Sequence, residues 1–332
     1  MDLEALWEAI FSENPSRIRA AWQQLSLEER SAVQTLLVNI VRDVQRIEEQ
    51  RQAARVALHA LGYDVPNSEL SEMLMFARTV AEDVGLELEE GFGQLDSSLK
   101  ADGSLVTRWD LIADQRIRSA IAARYPSHAI LSEEHSHQWH GEEWCWVIDP
   151  IDGTTNFACG VPIWGISIGL LRQGVPVLGV AEFPMFQEQY YAVRGGGAWL
   201  NGKRVQAQPR PAPGIQPNDL FACCTRTLQA GPVRIPAKLR VPGTTAYNLA
   251  LVARGACIGS FDLVVHLWDV AALWVVLAEA GVLAYTNLPS GLFPLRPELD
   301  YGQVTFSVLT AATEALGALF ADFLSDRFTP SW

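Results

Sequence analysis

Apolar residues recur at helical spacing from the first positions of the chain. Leu3, Leu6, Trp7, Ile10 and Phe11 fall on one helical face. Asn14-Pro15 ends that helix and opens a second one carrying Ile18 and Trp22. Ser26 and Glu29 have capping-box spacing. Behind them Val33, Leu36, Leu37, Ile40, Val41, Val44 and Ile47 keep the helical period, and Gly62 and Pro66 are stop signals. Residues 1–66 are therefore expected to form a helical extension without clustered chemistry, suited to packing or self-association.

A new pattern starts near Ser68, with Leu70, Met73, Leu74, Ala77, Val80 and Ala81 on the inner face of a helix. The polar stretch from Ser97 to Gly103 reads as a mobile loop. Ile112, Ile117 and Ile121 mark an amphipathic helix that follows Asp110. From there the period changes. Ala129-Ile-Leu131 and the apolar run Trp144–Ile148 read as strands, and Trp164–Leu171 and Val175–Ala181 flank Arg172-Gln-Gly174 as a hairpin. Tyr190–Val193 and Ala198–Leu200 extend the sheet. Pro209 to Pro217 is the best linker candidate. Beyond it, strands near Leu220–Cys223, Phe261–Val265 and Val304–Leu309 alternate with helices from about Thr245, Asp269 and Ala311, which argues for α/β packing. The expected organisation is a helical extension over 1–66, a first αβ lobe over 67–208 and a second over 209–332.

Composition narrows this picture. With 332 residues, 49% of them hydrophobic, the chain can bury a large core and fill two or three domains. Its 25 Lys and Arg against 38 Asp and Glu leave a formal charge of -13, which argues against a general nucleic-acid surface. No run has the apolar length of a membrane span, and the start Met-Asp-Leu-Glu-Ala-Leu-Trp lacks the basic opening of a signal peptide. Five cysteines without C-x-x-C spacing read as reduced thiols, so the expected location is the cytoplasm.

The chemistry concentrates at Asp149-Pro-Ile-Asp-Gly-Thr-Thr-Asn-Phe157. The preceding apolar run delivers two carboxylates to a sheet rim, where α/β proteins bind ligands. Pro150 ends ladder pairing there. Gly153 and the Thr/Thr/Asn cluster turn into a short helix with outward N–H groups. Oxygen donors for a hard cation beside N–H donors for an anion suit a metal-bound phosphate. Asp110, Glu133-Glu134 and Asp269 also lie beside apolar segments. Taken singly, Asp269 reads as a helix cap and Glu133-Glu134 as a solvated turn. Grouped together, they would repel one another without protons or cations. An all-oxygen set favours Mg²⁺ or Mn²⁺ over zinc. His135, His137 and His140 read as a solvated loop, His266 as a packed histidine, Cys159 as a spectator thiol and Gly195–Gly197 as a turn. Trp109 and Trp164 are the two tryptophans expected near the site.

The chain resembles the inositol monophosphatase family over about residues 68 to 325. The residues that carry the likeness are Asp149–Phe157, Trp268-Asp-Val-Ala-Ala272, Lys100–Thr107 with Asp110, and Ser132-Glu-Glu134. The resemblance implies an α+β, layered α-β-α-β-α fold and a Mg²⁺-dependent phosphate monoester hydrolase that binds two to three cations. It further implies that Glu133, Asp149 and the Ile151 carbonyl hold one Mg²⁺, and that Asp149, Asp152 and Asp269 hold another. Glu133 would also face a weaker third ion through water, and Glu134 would support from behind. Thr154 and Asp110 would activate the attacking water, and N–H groups of Gly153 and Thr154 would bind phosphate. Attack would be in line, without a covalent phosphoenzyme. Gly243, Thr244, Thr245, Ala246 and Asp262 match positions that face substrate hydroxyls.

Several positions depart from the family pattern. Asp262 stands where a Glu is typical, Ser132 where a Gly is usual, and Ala280-Gly-Val282 where Gly-Gly is common. Gly160-Val-Pro-Ile-Trp164 looks like histidinol-phosphate phosphatases. The substrates in view are inositol 1-phosphate or a similar small polyol phosphate. Histidinol phosphate, fructose 1,6-bisphosphate or a 3'-phosphoadenosine nucleotide are alternatives. A homodimer is expected, with no nucleic-acid or membrane partner. A different class of function is a weakly active scaffold working through residues 1–66.

Overall fold

The computed structural model describes residues 3–12, 14–42, 46, 48–61, 68–94, 97–99, 105–207 and 214–324. The chain divides into two compact units, Met1–Glu69 and Leu70–Trp332.

The first unit contains α1 (Leu3–Ile10), α2 (Pro15–Gln23), α3 (Leu27–Arg42) and α4 (Glu48–Ala60). The expected capping box is present: Ser26 N donates to Glu29 Oε2 at 2.8 Å, and Glu29 N donates to Ser26 Oγ at 3.3 Å. Ile10, Ile18, Leu37, Ala54 and Leu58 are fully buried together, so the unit has its own core. The long helical pattern is two helices, α3 and α4. Gly62 and Pro66, the expected stops, lie outside the described residues, as do Val44 and Ile47.

The second unit opens with α5 (Ser68–Leu88), β1 (Ser97–Leu99), β2 (Leu105–Thr107) and α6 (Arg108–Arg124). A seven-stranded sheet then forms in the order β3 (Ala129–Ser132), β4 (Trp144–Asp152), β5 (Gly165–Arg172), β6 (Val175–Phe183), β7 (Glu188–Val193), β8 (Ala198–Leu200) and β9 (Lys203–Val205). Only β3 and β4 pair in parallel; the rest is an antiparallel meander. The short helix α7 (Thr154–Ala158) interrupts it after β4. A five-stranded sheet contains β10 (Leu220–Cys223), β11 (Lys238–Arg240), β12 (Gly259–Val265), β13 (Leu283–Thr286) and β14 (Phe306–Ala311), in the order β11-β10-β12-β14-β13. Its helices are α8 (Thr225–Gln229), α9 (Thr245–Ala253), α10 (Leu267–Glu279) and α11 (Glu314–Phe323).

The buried residues sort into layers. Ala77 and Ala81 of α5 and Ile117 and Ile121 of α6 pack on Trp146, Ile148, Ile168 and Leu178 of the larger sheet. The opposite face, through Cys145, Val147, Leu171 and Ala181, meets α9 and α10. The smaller sheet turns Phe221, Phe261 and Leu309 toward Leu316 and Phe320 of α11. This is the α-β-α-β-α order. In the larger sheet, glycine sets how closely α10 approaches. A Cβ at Gly169 would come within 3.1 Å of the Ala271–Ala272 peptide, and one at Gly179 would collide with the Ala272 carbonyl.

Local expectations change at several places, among them the last helix, expected from Ala311, which starts at Glu314 because Ala311 closes β14. Ser97–Leu99 is a strand paired antiparallel with Leu105–Thr107, where a loop was expected. Residues 100–104 between them, including Lys100 of the family motif, lie outside the described residues. Pro150 does not end β4: pairing shifts register between Asp149↔Ser167 and Asp152↔Gly165 and then resumes. The proline sits in a bulge, where its missing N–H costs no ladder bond. The helix expected to open at Asp269 starts at Leu267. The 209–213 part of the expected linker is outside the described residues.

Candidate active site

The β4 bulge decides where its two carboxylates point. Side chains three apart on a regular strand face opposite ways. Between Asp149 and Asp152, two residues of β4, Pro150 and Ile151, oppose the single Ile166 of β5, so the extra residue brings both acids to one side. They line a single cavity of about 670 Å³, together with Glu133, Ile151 and Asp269. Glu133 arrives from the end of β3, whose last residue, Ser132, is paired with Ile148. Its N–H donates to the Ile148 carbonyl at 3.2 Å, which fixes it beside Asp149. Asp269 arrives from the first turn of α10, where its Oδ2 accepts from His266 N at 2.8 Å. It is the third residue of the helix, so the bond reaches back across the cap.

Other polar groups lock this set. Asp149 Oδ1 accepts from Ile151 N at 3.1 Å. Asp152 Oδ2 accepts from Ala246 N at 2.6 Å, joining the end of β4 to the start of α9. Gly153 has φ +94°, a conformation that favours glycine, and a Cβ there would stand 2.6 Å from Thr244 Cγ2. That turn sends the chain into α7. Thr154 Oγ1 lies 2.9 Å from Asp110 Oδ1 and 3.1 Å from the Ile151 carbonyl, so its hydrogen has two acceptors to choose from. Asp110 itself is buried; its Oδ2 accepts from Thr107 N and Oγ1 at 2.7 and 2.6 Å, in the capping box of α6.

Electrostatics follow from this crowding. Burial raises the Asp152 carboxyl to about 7, against backbone donors at Ala246 and Thr245 that lower it. Burial, then Asp152 and Glu133, hold Asp269 well above the usual carboxylate range. Asp110 is raised too, chiefly by burial, although Thr107 and Thr154 donate to it. An all-carboxylate set with one backbone carbonyl fits a hard divalent cation by donor chemistry. Among the described residues, however, no three Asp, Glu, His or Cys side chains stand close enough to share one ion as placed.

Thr154, Gly153, Gly243, Thr244 and Thr245 line the same cavity. Asp110 and Ala246 do not; they lie behind Thr154 and Asp152. Asp262 is also absent from the lining. It is fully buried, its Oδ1 accepts from Asn248 Nδ2 at 2.9 Å, and burial raises it to about 7. Trp164 is fully buried against Phe92 and Phe157, and Trp109 packs beneath Gly91, so neither tryptophan reaches the cavity. His137 and His266, expected in a solvated loop and a packed position, both line it; His266 stacks on Trp268, and His137 meets the same ring at a tilt. Cys224, Thr225 and Arg226 were not singled out and also line it. A signal existed: like Asp149, they follow an apolar strand. Gly195–Gly197 is the expected turn, with Glu279 accepting from Gly195 N and Gly197 N at 2.7 Å each.

Comparison with known proteins agrees with this geometry. The model of the inositol monophosphatase family matches residues 69–318. An inositol-1-monophosphatase of Synechocystis sp. is 32% identical over 280 residues, covering 78% of this chain and 95% of that protein. A histidinol-phosphatase of Chlorobaculum parvum is 34% identical over 216 residues, covering 63% of this chain and 83% of that protein. The crystal structure of the extragenic suppressor protein suhB from Bartonella henselae superposes with a TM-score of 0.64 at 25% identity, covering 77% of this chain and 100% of that one. Among the described residues no helix is long and apolar enough to cross a membrane. The matched residues contain the whole acid-lined cavity, and the chain belongs to the inositol monophosphatase family.

Proposed function

We propose that this protein hydrolyses the phosphate monoester of a small polyol, with inositol monophosphate as its leading substrate, and that it works with Mg²⁺ or Mn²⁺. The observation that carries the reading is the convergence of Glu133, Asp149, Asp152 and Asp269 on one cavity beside the Thr154–Asp110 hydrogen bond. Glu133, Asp149, the Ile151 carbonyl, Asp152 and Asp269 would hold the cations. When bound, these supply charge neutralisation at the phosphoryl group and at the departing alkoxide.

The remaining work belongs to the chain itself. Thr154 Oγ1 donates to Asp110 and so offers a lone pair to an incoming water. The water's proton passes to Thr154 as the Thr154 proton passes to Asp110 Oδ1. Burial has already made that carboxylate more basic than usual. Gly153 and Thr154 N–H groups at the start of α7 hold phosphoryl oxygens. Gly243, Thr244 and Thr245 form a small-residue edge against the alcohol. Ala246 anchors Asp152 through its N–H. Asp262, fully buried and outside the lining, is not placed to touch the alcohol.

The test is phosphate release from inositol 1-phosphate, histidinol phosphate, fructose 1,6-bisphosphate, 3'-phosphoadenosine phosphate and glycerol 2-phosphate, with Mg²⁺ and with chelator. Mg²⁺-dependent release from inositol 1-phosphate above the others supports the reading. A preference for histidinol phosphate would favour the second reading, which the 34% identical histidinol-phosphatase supports. Release that persists in chelator would overturn the cation assignment. Lithium inhibition at saturating Mg²⁺ is expected, as is a homodimer by light scattering.

A further inference from the structure

The cavity is chemically lopsided. Four carboxylates occupy one part of its lining, and Arg226 is the single Lys or Arg among the described residues that line it. Arg226 opens toward solvent from the first turn of α8, next to the exposed Thr225. No described residue forms an ion pair or side-chain hydrogen bond with the Arg226 guanidinium. Asp262, in the strand β12 that α8 packs against, does not reach the lining. It is fully buried under Asn248 and the Cys224 thiol, and Cys224 faces the cavity in its place. This part of the wall therefore presents donors, the Thr225 hydroxyl and the Arg226 fork, with no carboxylate to neutralise them.

An acid-lined cavity repels any second anion on a substrate unless a cation faces it. A guanidinium fork suits a carboxylate or a phosphate, which it can bind through two parallel hydrogen bonds. We propose that Thr225 and Arg226 form a second anion subsite that recognises a carboxylate or a second phosphate on the alcohol portion of the ester, so that between two esters differing only in that group the protein favours the one that carries it. This rests on the phosphatase reading above and adds a recognition element to the same cavity.

The test compares matched pairs that differ only at the far end: glycerol 3-phosphate with 3-phosphoglycerate, and fructose 1-phosphate with fructose 1,6-bisphosphate. The readout is the ratio of kcat/KM within each pair, for the full chain with Mg²⁺. The wild type should favour the doubly anionic member of at least one pair. Which pair responds tells carboxylate from phosphate. Arg226→Gln should lower that ratio about tenfold, the scale of one charge-assisted hydrogen bond, mainly through KM. Arg226→Lys should keep part of the preference, and Arg226→Glu should invert it. Added salt should erode the wild-type ratio, because the guanidinium is exposed.

A wild-type ratio at or below one in both pairs, or a ratio that Arg226→Gln leaves unchanged, would overturn the subsite. If no ester turns over, the phosphatase reading fails separately. Calorimetric binding of the same pairs to wild type and Arg226→Gln then decides the subsite. Tighter binding of a doubly anionic member that is lost in the variant upholds it, and equal affinities sink it.

Discussion

Two strand ends meet at the cavity, and they are built differently. The end of β4 is over-determined. A bulge aims Asp149 and Asp152, Ala246 N holds Asp152, and Ile151 N holds Asp149. The end of β10 is tied one turn later, where buried Thr227 donates to the Phe261 carbonyl at 3.1 Å and accepts from Leu263 N at 3.2 Å. Cys224, Thr225 and Arg226 pass into the five-residue helix α8, and Thr225 and Arg226 face solvent. The first end places charge where chemistry needs it and fixes the position with backbone donors. The second presents groups that meet whatever the alcohol carries. On the proposed reading, chemistry rests on a buried strand end and selectivity on an exposed one.

The harshest way to break the contrast is Asp149→Asn. It should reduce Mg²⁺-dependent turnover to background with an unchanged circular dichroism spectrum. It should also weaken the rise in melting temperature that Mg²⁺ gives the wild type, because a cation stabilises the state that binds it. Normal turnover would remove Asp149 from the cation set. Next comes Thr154→Ala, expected to lower kcat by about 10²–10⁴-fold, the usual contribution of a positioned proton-transfer group. Thr154→Ser should recover most of that loss, and a Ser variant as poor as Ala would count against the hydroxyl relay.

A third change sharpens the contrast through pH. Asp262 titrates at about 7 in the folded protein against an ordinary 3.8. Above 7 its buried charge burdens only the folded state. As pH falls from 7 toward 4, the folded state takes up the proton first, so stability rises by about 1.4 kcal/mol per pH unit from this group. Asp262→Asn should therefore melt higher than wild type at pH 8 and show a shallower gain between pH 8 and 5. Parallel melting curves would argue against the charge burden.

A smaller effect is expected from Gly179→Ala, which forces a methyl against the Ala272 carbonyl and should cost about 1–3 kcal/mol by chemical denaturation. The smallest is expected from removing residues 1–66. Every residue that lines the cavity lies in the second unit, so turnover should persist. Loss of a bound partner on truncation, with no turnover in either form, would bring the scaffold reading forward.

The strand ends also differ in how far they could be read in advance. The β4 end was legible because its signals are local. An apolar run, a proline, two acids and a glycine turn occupy adjacent positions, and each has its own backbone meaning. The layered fold was legible for the same reason, since the helix and strand periods are written into single segments. Asp262 was not legible. Its sequence position says acid near the cavity, whereas its burial depends on Asn248, fourteen residues away on α9. The β1–β2 pairing depends on an edge that no local propensity fixes. His137 reached the cavity because Tyr301 N donates to its carbonyl at 2.9 Å and Gln138 bridges Asp300, contacts from the β13–β14 connection far along the chain.

Gly169 and Gly179 have a consequence beyond packing. They leave only hydrogen atoms between the sheet and the helix that carries Asp269, so that acid keeps its distance from the β4 pair without any adjustable side chain in between. Substitutions at the exposed Thr225 and Arg226 of α8 therefore leave the spacing between Asp269 and the β4 pair untouched.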